Sequence, residues 1–209
     1  VVDKKYLLNS RQMAQFVAQG YLRFDRIVSP ERNERAMREI DAGVPAAPAG
    51  TPLSQCYPPP SALGDIIRSP EVEGIIHSLV GPNPLFDHQA VHVRNANEGA
   101  AQHLHGDSII DTRQHFDIQL MYFPHDVPLE MGGTLIVPGS HFRRINEMDI
   151  ARYQNIVGQI PMVCDAGTII IVHHGIWHCG RQNKTNRKRY MFKVRLNPTV
   201  RQLRLWNTN

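Results

Sequence analysis

Apolar positions recur at helical spacing through the first part of the chain and at strand spacing after it. Met13, Phe16 and Val17 mark one face of a helix that Ser10 caps and Gly20 stops. Tyr21-Leu22-Arg23-Phe24-Asp25-Arg26-Ile27 alternates apolar and polar, as a half-buried strand does. Ser29-Pro30-Glu31 opens a second helix, with Ala36, Met37 and Ile40 turned inward and a stop near Gly43. Two shorter helices follow, over 61–68 and from a Ser69 cap to Leu79, and Gly81-Pro82-Asn83-Pro84 closes the helical part. Between them, residues 44–60 carry Pro45, Pro48, Pro52, Pro58, Pro59 and Pro60, which excludes a helix or a central strand. A connection of this length predicts either a lid or mobile connection, with Cys56 and Tyr57 lining a substrate mouth, or equally a plain surface loop.

Past Pro84 the pattern becomes a series of short strands, predicted over 85–95, 116–123, 134–137, 160–163, 168–173 and 190–196. Gly132-Gly133, Pro138-Gly139-Ser140 and Ala166-Gly167 supply turns between them. Short strands at this spacing argue for a mainly β fold, a double-stranded β-helix (jelly roll) with N-terminal α-helices packed on it, rather than a parallel α/β sheet. The chain reads as a single domain over 1–209, helical over about 1–83 and jelly roll over about 84–200.

Composition narrows the setting. Hydrophobic residues at 42% and charged residues at 20% describe a globular chain rather than a disordered one. No apolar run reaches bilayer length, and no basic-then-apolar leader pattern is present, so the cytoplasm is the default expectation. Cys56, Cys164 and Cys179 are odd in number and far apart, which predicts reduced thiols rather than a disulfide framework or zinc knuckle. Charge is uneven: from Ala166 onward there is no Asp or Glu, while Arg181, Lys184, Arg187, Lys188, Arg189, Lys193, Arg195, Arg201 and Arg204 all fall there. Few aromatics interleave with these cations and no nucleic-acid module is visible, which argues against nucleic acid as the partner and for an anionic small molecule.

The densest chemistry lies in Gln102-His103-Leu104-His105-Gly106-Asp107-Ser108. On an extended segment residues two apart share a face, so His105 and Asp107 can offer a nitrogen and an oxygen to one metal ion. The pattern occurs twice, since His115-Phe116-Asp117 repeats it, so by itself it selects nothing. A third ligand is suggested by the segment from Trp177 to Tyr190, which follows the apolar strand Thr168–Val172. A His leaving that strand, a polar turn and an Arg entering the next strand place His178 and Arg189 at one barrel mouth.

Three blocks together resemble the phytanoyl-CoA dioxygenase family of iron- and 2-oxoglutarate-dependent oxygenases. They are His105-Gly106-Asp107, the run Gly132-Gly133-Thr134-Leu135-Ile136-Val137-Pro138-Gly139-Ser140-His141, and His178 followed by Asn183, Thr185 and Arg189. Gln15 to Leu22 also fits the family's opening helix and strand. The resemblance implies that His105, Asp107 and His178 are the catalytic metal ligands for Fe(II), a facial triad that leaves positions open for 2-oxoglutarate and dioxygen. It also implies that Arg189, with its planar two-pronged donor, binds the distal carboxylate of 2-oxoglutarate, in preference to Arg187 two residues earlier. Gln119 and Gln102 match further cofactor-contacting positions. Gly180 departs from the pattern, because family members often carry a hydroxyl residue there. Retention of the Asp107 carboxylate favours hydroxylation of a small organic substrate, acidic or acyl in character, over halogenation, with release of succinate and carbon dioxide.

Other residues read as structural: His103 as a strand cap, His141 as part of a turn, Trp177 as packing, and His173 and His174 as histidines lacking the Asn and Arg spacing that follows His178. The competing readings are a cupin-like metal-binding protein or isomerase without 2-oxoglutarate, and a non-catalytic member of the family. Positive charge at Arg94, Arg113 and the C-terminal strands points to an acidic substrate.

Overall fold

A computed structural model describes residues 2–107, 116–143, 145, 147–153 and 155–202. Helix α1 (Ser10–Gln19) leads into strand β1 (Tyr21–Phe24), followed by α2 (Pro30–Ala42), α3 (Ala62–Ile67) and α4 (Pro70–Val80). Strands β2 (Leu85–Arg94), β3 (Ile118–Phe123), β4 (Thr134–Val137), β5 (Ile160–Pro161), β6 (Thr168–His173), β7 (Trp177–Gly180) and β8 (Arg189–Asn197) complete the β part. One short helix, α5 (Glu147–Ile150), lies between β4 and β5.

The strands form two antiparallel sheets, a five-stranded one in the order β1-β6-β3-β8-β2 and a three-stranded one in the order β5-β4-β7. This is the jelly-roll arrangement expected from the pattern. The strand before α2 is not an isolated piece of the helical part. It is the edge strand of the large sheet, with Leu22 opposite Ile171.

β3 and β6 are buried along their whole length between two apolar cores, one against the helices and one with Met121, Phe123, Ile170 and Val172 inside the roll. Ile118, Leu120, Tyr122, Ile169, Ile171, Phe192, Val194 and Leu196 join the helices in one apolar core. Each large side chain buried there contributes roughly 1.5–3 kcal/mol. Buried on the same side, the Tyr122 hydroxyl donates to Asn33 Oδ1 of α2 at 2.6 Å.

Several local expectations are corrected. Asn9, not Ser10, caps α1: its side chain accepts from Gln12 N and Gln12 returns a bond to the cap N–H. Val17 is exposed, because the buried stripe of α1 is carried by Met13 and Phe16 alone. Ser69 precedes α4, but its hydroxyl donates back to Ile66 O instead of capping the helix. The proline-rich segment is no lid. Leu53, Cys56 and Tyr57 are buried, with the Tyr57 ring edge-on to Phe86 and Phe192 and its hydroxyl donating to Gln89. Prolines remove backbone donors but leave the intervening side chains free to fill the helical core. Cys56 and Tyr57 therefore lie on the helix side of the sheet, across it from His105, Asp107 and His178. Cys56, Cys164 and Cys179 are buried free thiols.

Candidate metal centre

The centre is assembled by strand register. His178 lies within β7, opposite Ile136 of β4, and not in a turn leaving the preceding strand. The segment before Asp107 adds to the free side of β7: His105 N donates to His178 O at 3.0 Å and His178 N to His105 O at 2.8 Å. In such a mutually bonded antiparallel pair both side chains stand on the same face. The two imidazole centroids are 4.6 Å apart. Gln102 extends the pairing, its N–H donating to Gly180 O and its Oε1 accepting from Gly180 N, both at 2.8 Å. Asp107, two residues beyond His105, returns to the histidine face.

Each histidine is held in one tautomer. His105 Nδ1 lies 2.8 Å from His103 O and His178 Nδ1 lies 3.1 Å from Ile176 O. A carbonyl only accepts, so the proton sits on Nδ1 and the Nε2 lone pair is exposed to the centre. Those nitrogens point toward the carboxylate, with His105 Nε2 and His178 Nε2 each 3.7 Å from an Asp107 oxygen. One ligand atom from each of His105, Asp107 and His178 lies within 4.8 Å of the others. Burial pushes His178 below the ordinary histidine pKa, which favours the neutral ring that a metal needs. Burial alone would raise the Asp107 pKa, but the facing His178, the Lys193 ammonium and a hydrogen bond from Gln119 hold it well below the usual carboxylate range. Two bare imidazole nitrogens and one ionised carboxylate on a common face are the donor set of a non-haem Fe(II) site.

The Gly-Gly and Pro-Gly-Ser-His block holds β7 in place. A Cβ on Gly132 would meet Gln182 O at 1.8 Å, and one on Gly133 would meet Met162 O at 2.4 Å, so neighbouring backbone packs where side chains would stand. Ser140 Oγ donates to Val137 O at 2.6 Å and accepts from Trp177 N at 2.8 Å, fixing the start of the strand that carries His178. His141 stacks near His173, its Nε2 3.0 Å from Val17 O, and ties the block to α1. Trp177 is buried in a small core with Leu104, Leu135 and Cys179. Asn183, fully buried, organises the turn after β7 through Asn95 O, Arg187 O and the Thr185 hydroxyl.

The inner face of the large sheet closes the other side. Gln119 of β3 donates through Nε2 to Asp107 Oδ2. Arg189 opens β8, buried, with Nη1 donating to the carbonyls of Met131, Gly132 and Arg181. Burial, and then the neighbouring Arg94, lower its pKa to about 10, which leaves it cationic at neutral pH. Gln102 lies along the free edge of β7, its Oε1 accepting from Gly180 N and standing where a side chain on Gly180 would. Arg187 is exposed in the turn before β8. His103 is exposed and contributes its carbonyl rather than its ring. The second His-x-Asp is split: Asp117 pairs with Arg195 at 2.5 Å and takes no part in the centre, whereas His115 lies outside the described residues. Arg113 and Arg204 lie outside them too.

Sequence reasoning missed Lys193, whose Nζ is 3.2 Å from Asp107 Oδ2, and His174, whose Nδ1 is 3.3 Å from Gln119 Nε2. The available signal was the alternation Arg189, Met191, Lys193, Arg195, which puts polar groups on one face of a buried strand.

The family model for phytanoyl-CoA dioxygenase (PhyH) matches residues 16–191, most of the chain and every residue of the centre. The chain belongs to the phytanoyl-CoA dioxygenase family. The family match together with the His105, Asp107 and His178 cluster identifies a non-haem iron, 2-oxoglutarate-dependent dioxygenase. No curated protein matches the sequence. Among solved structures, the chain is similar to HygX from Streptomyces hygroscopicus with nickel and 2-oxoglutarate bound (TM-score 0.72, 13% identity, covering 92% of this chain and 88% of that one). It is also similar to the non-heme alpha ketoglutarate dependent carbocyclase SnoK from nogalamycin biosynthesis (TM-score 0.69, 19% identity, 97% and 90% covered). AviO1 from Streptomyces viridochromogenes Tue57 is a third (TM-score 0.67, 15% identity, 96% and 97% covered). At these identities the structures establish the shared double-stranded β-helix fold. Among the described residues, no helix is long and apolar enough to cross a membrane.

Proposed function

We propose that the chain hydroxylates a small organic substrate, acidic or acyl in character, using Fe(II), 2-oxoglutarate and dioxygen and releasing succinate and carbon dioxide. The observation that carries this reading is the convergence of His105, Asp107 and His178, with their ligand atoms within 4.8 Å and the carboxylate retained. Bound iron supplies oxidation by dioxygen coupled to loss of carbon dioxide from the 2-oxoacid.

The chain's own residues set the geometry. His105 and His178 present Nε2, each oriented by a backbone carbonyl on the opposite ring nitrogen. Gln119 steadies the Asp107 carboxylate by donating to Oδ2. Arg189 receives the distal carboxylate of 2-oxoglutarate. Its described hydrogen bonds all leave from Nη1, so the remaining guanidinium nitrogens are the ones that meet the anion. Gln102 acts at the β7 side of the same co-substrate pocket through its hold on Gly180.

The test is anaerobic titration with Fe(II) and 2-oxoglutarate, followed by the visible charge-transfer band of the ternary complex. The band forms in wild type and is lost in Asp107→Ala and His178→Ala. Wild type without the band sinks the assignment. Family membership decides against the cupin-like alternative. A non-catalytic member would show the band but produce no succinate on admitting oxygen.

A further inference from the structure

The last residue of the edge strand β2 brings a second guanidinium to the end of β7. Arg94 stands directly opposite Arg189 in the β2–β8 register. Directly opposed residues of an antiparallel pair share a face, with Cβ atoms about 5 Å apart, and like charges so placed destabilise the sheet. The hydrogen bonds described for the two side chains go to carbonyls: Arg94 Nη1 to Ala100 O at 3.2 Å, and Arg189 Nη1 to Met131 O, Gly132 O and Arg181 O. Among the described residues neither arginine has a carboxylate within ion-pair distance. Glu98, the acid nearest to Arg94 in the chain, accepts from Asn95 N instead.

Two glycines make room for the Arg94 guanidinium. A Cβ on Gly99 would stand 2.9 Å from Arg94 Nη1, and one on Gly180 would stand 3.4 Å from Arg94 Nη2. Gly180 lies two residues beyond His178 on β7, so that Cβ would point to the metal face, whereas Trp177 and Cys179 point to the small core on the other side. Arg94 Nη2 therefore fills side-chain space on the same face of β7 as a metal ligand. Arg189 reaches the adjoining residue, with Nη1 3.1 Å from Arg181 O. Two cations from facing strands meet at Gly180 and Arg181, and a buried or half-buried pair of this kind is stabilised by an anion shared between them.

We propose that Arg94 is a second binding residue for the distal carboxylate of 2-oxoglutarate, which it receives together with Arg189. This rests on the oxygenase reading and adds to it the residue that fills the gap left by Gly180. It also assigns Arg94 to the co-substrate rather than to an acidic primary substrate.

The experiment uses the full chain loaded anaerobically with Fe(II). The probes are 2-oxoglutarate and 2-oxopentanoate, which keeps the 2-oxoacid and carries a methyl group in place of the distal carboxylate. Binding is read by the charge-transfer band and by calorimetry. Wild type prefers 2-oxoglutarate. Arg94→Met raises the 2-oxoglutarate Kd about tenfold or more, as loss of a charge-assisted hydrogen bond requires, and moves the 2-oxopentanoate Kd by less than about threefold. Arg94→Lys recovers part of the loss, since it returns the charge without the fork. Arg94→Gln keeps a donor for Ala100 O and still shows the loss, which separates the charge from the shape of the loop. Equal affinity of wild type for the two 2-oxoacids overturns the proposal. A 2-oxoglutarate Kd within about threefold of wild type in Arg94→Met or Arg94→Gln overturns it too, because the guanidinium then serves something else. So does equal weakening of both 2-oxoacids, which marks a residue that only shapes the pocket. Failure of wild type to form the band with either 2-oxoacid is a different result, since it brings down the oxygenase reading itself.

Discussion

The central strands β3 and β6 are buried on both faces, and the two faces of the sheet differ in the polar residues they hold. On the helix side, Ile118, Leu120, Tyr122, Phe192 and Val194 are apolar or, in the case of Tyr122, hydrogen-bonded to a buried Asn33. On the inner side the neighbouring positions of the same strands are Gln119, Lys193 and Arg189, interleaved with Met121 and Met191. Both faces supply folding energy, the inner one through Met121, Phe123, Ile170 and Val172, but only the inner face also holds charges that folding energy must support. Burial by itself therefore says little about role, and what a buried side chain is bonded to says most of it.

Substitutions on the two faces should separate cleanly. Phe192→Ala on the helix side is expected to lower unfolding free energy by about 3–5 kcal/mol in urea titration, through lost burial and a residual cavity. The protein that remains folded should still bind metal, and loss of metal affinity in that fraction would break the separation. Asp107→Ala should leave the chain folded and weaken divalent metal binding by roughly 100-fold or more in calorimetry, beyond the loss seen when a group merely orients a ligand. Asp117→Asn, the other His-x-Asp carboxylate, should leave metal affinity unchanged and show its effect only in stability, through Arg195. Arg189→Ala should weaken 2-oxoglutarate about ten- to 100-fold with metal affinity retained, while Arg187→Ala should do neither.

Acid should act on the helix side of the comparison through His173. Burial, with smaller contributions from His141 and His174, lowers its pKa from 6.5 to about 3. Between those values the unfolded chain binds a proton that the folded chain does not. Stability is therefore fully present above pH 6.5 and falls as pH drops toward 3, by about 2 kcal/mol at pH 5 for one group. Comparison of urea midpoints at pH 7 and 5 should show a smaller acid loss in His173→Phe than in wild type. The smallest effect is expected for Tyr122→Phe, about 1 kcal/mol, because it removes the hydrogen bond to Asn33 and keeps the ring.

Much of this division was visible in the chain itself. The β4 and β6 strands fall where alternation and apolar runs put them, and β8 is extended by one residue at each end. The short strand β7 was not legible, because Trp177-His178-Cys179-Gly180 has too few residues for a period to show. Its strand character comes from Ile136 on one side and His105 on the other. The proline-rich segment was misjudged for a related reason. Prolines report what the backbone cannot do, whereas Tyr57 is buried because Phe86 and Phe192 happen to stand opposite it.

The sequence alone determined which residue types could hold the metal, since two imidazoles, a carboxylate and an arginine are matters of chemistry and spacing. It also determined that His105 and Asp107 share a face, because two residues on an extended segment do so wherever the segment lies. Only the tertiary structure decided that His105 faces His178 through mutual backbone bonds, that Asp117 is spent on Arg195, and that Lys193 meets Asp107. The reason is that these pairings depend on the register and order of strands joined through distant parts of the chain. The alternation along any one of them fixes its faces but not its neighbours.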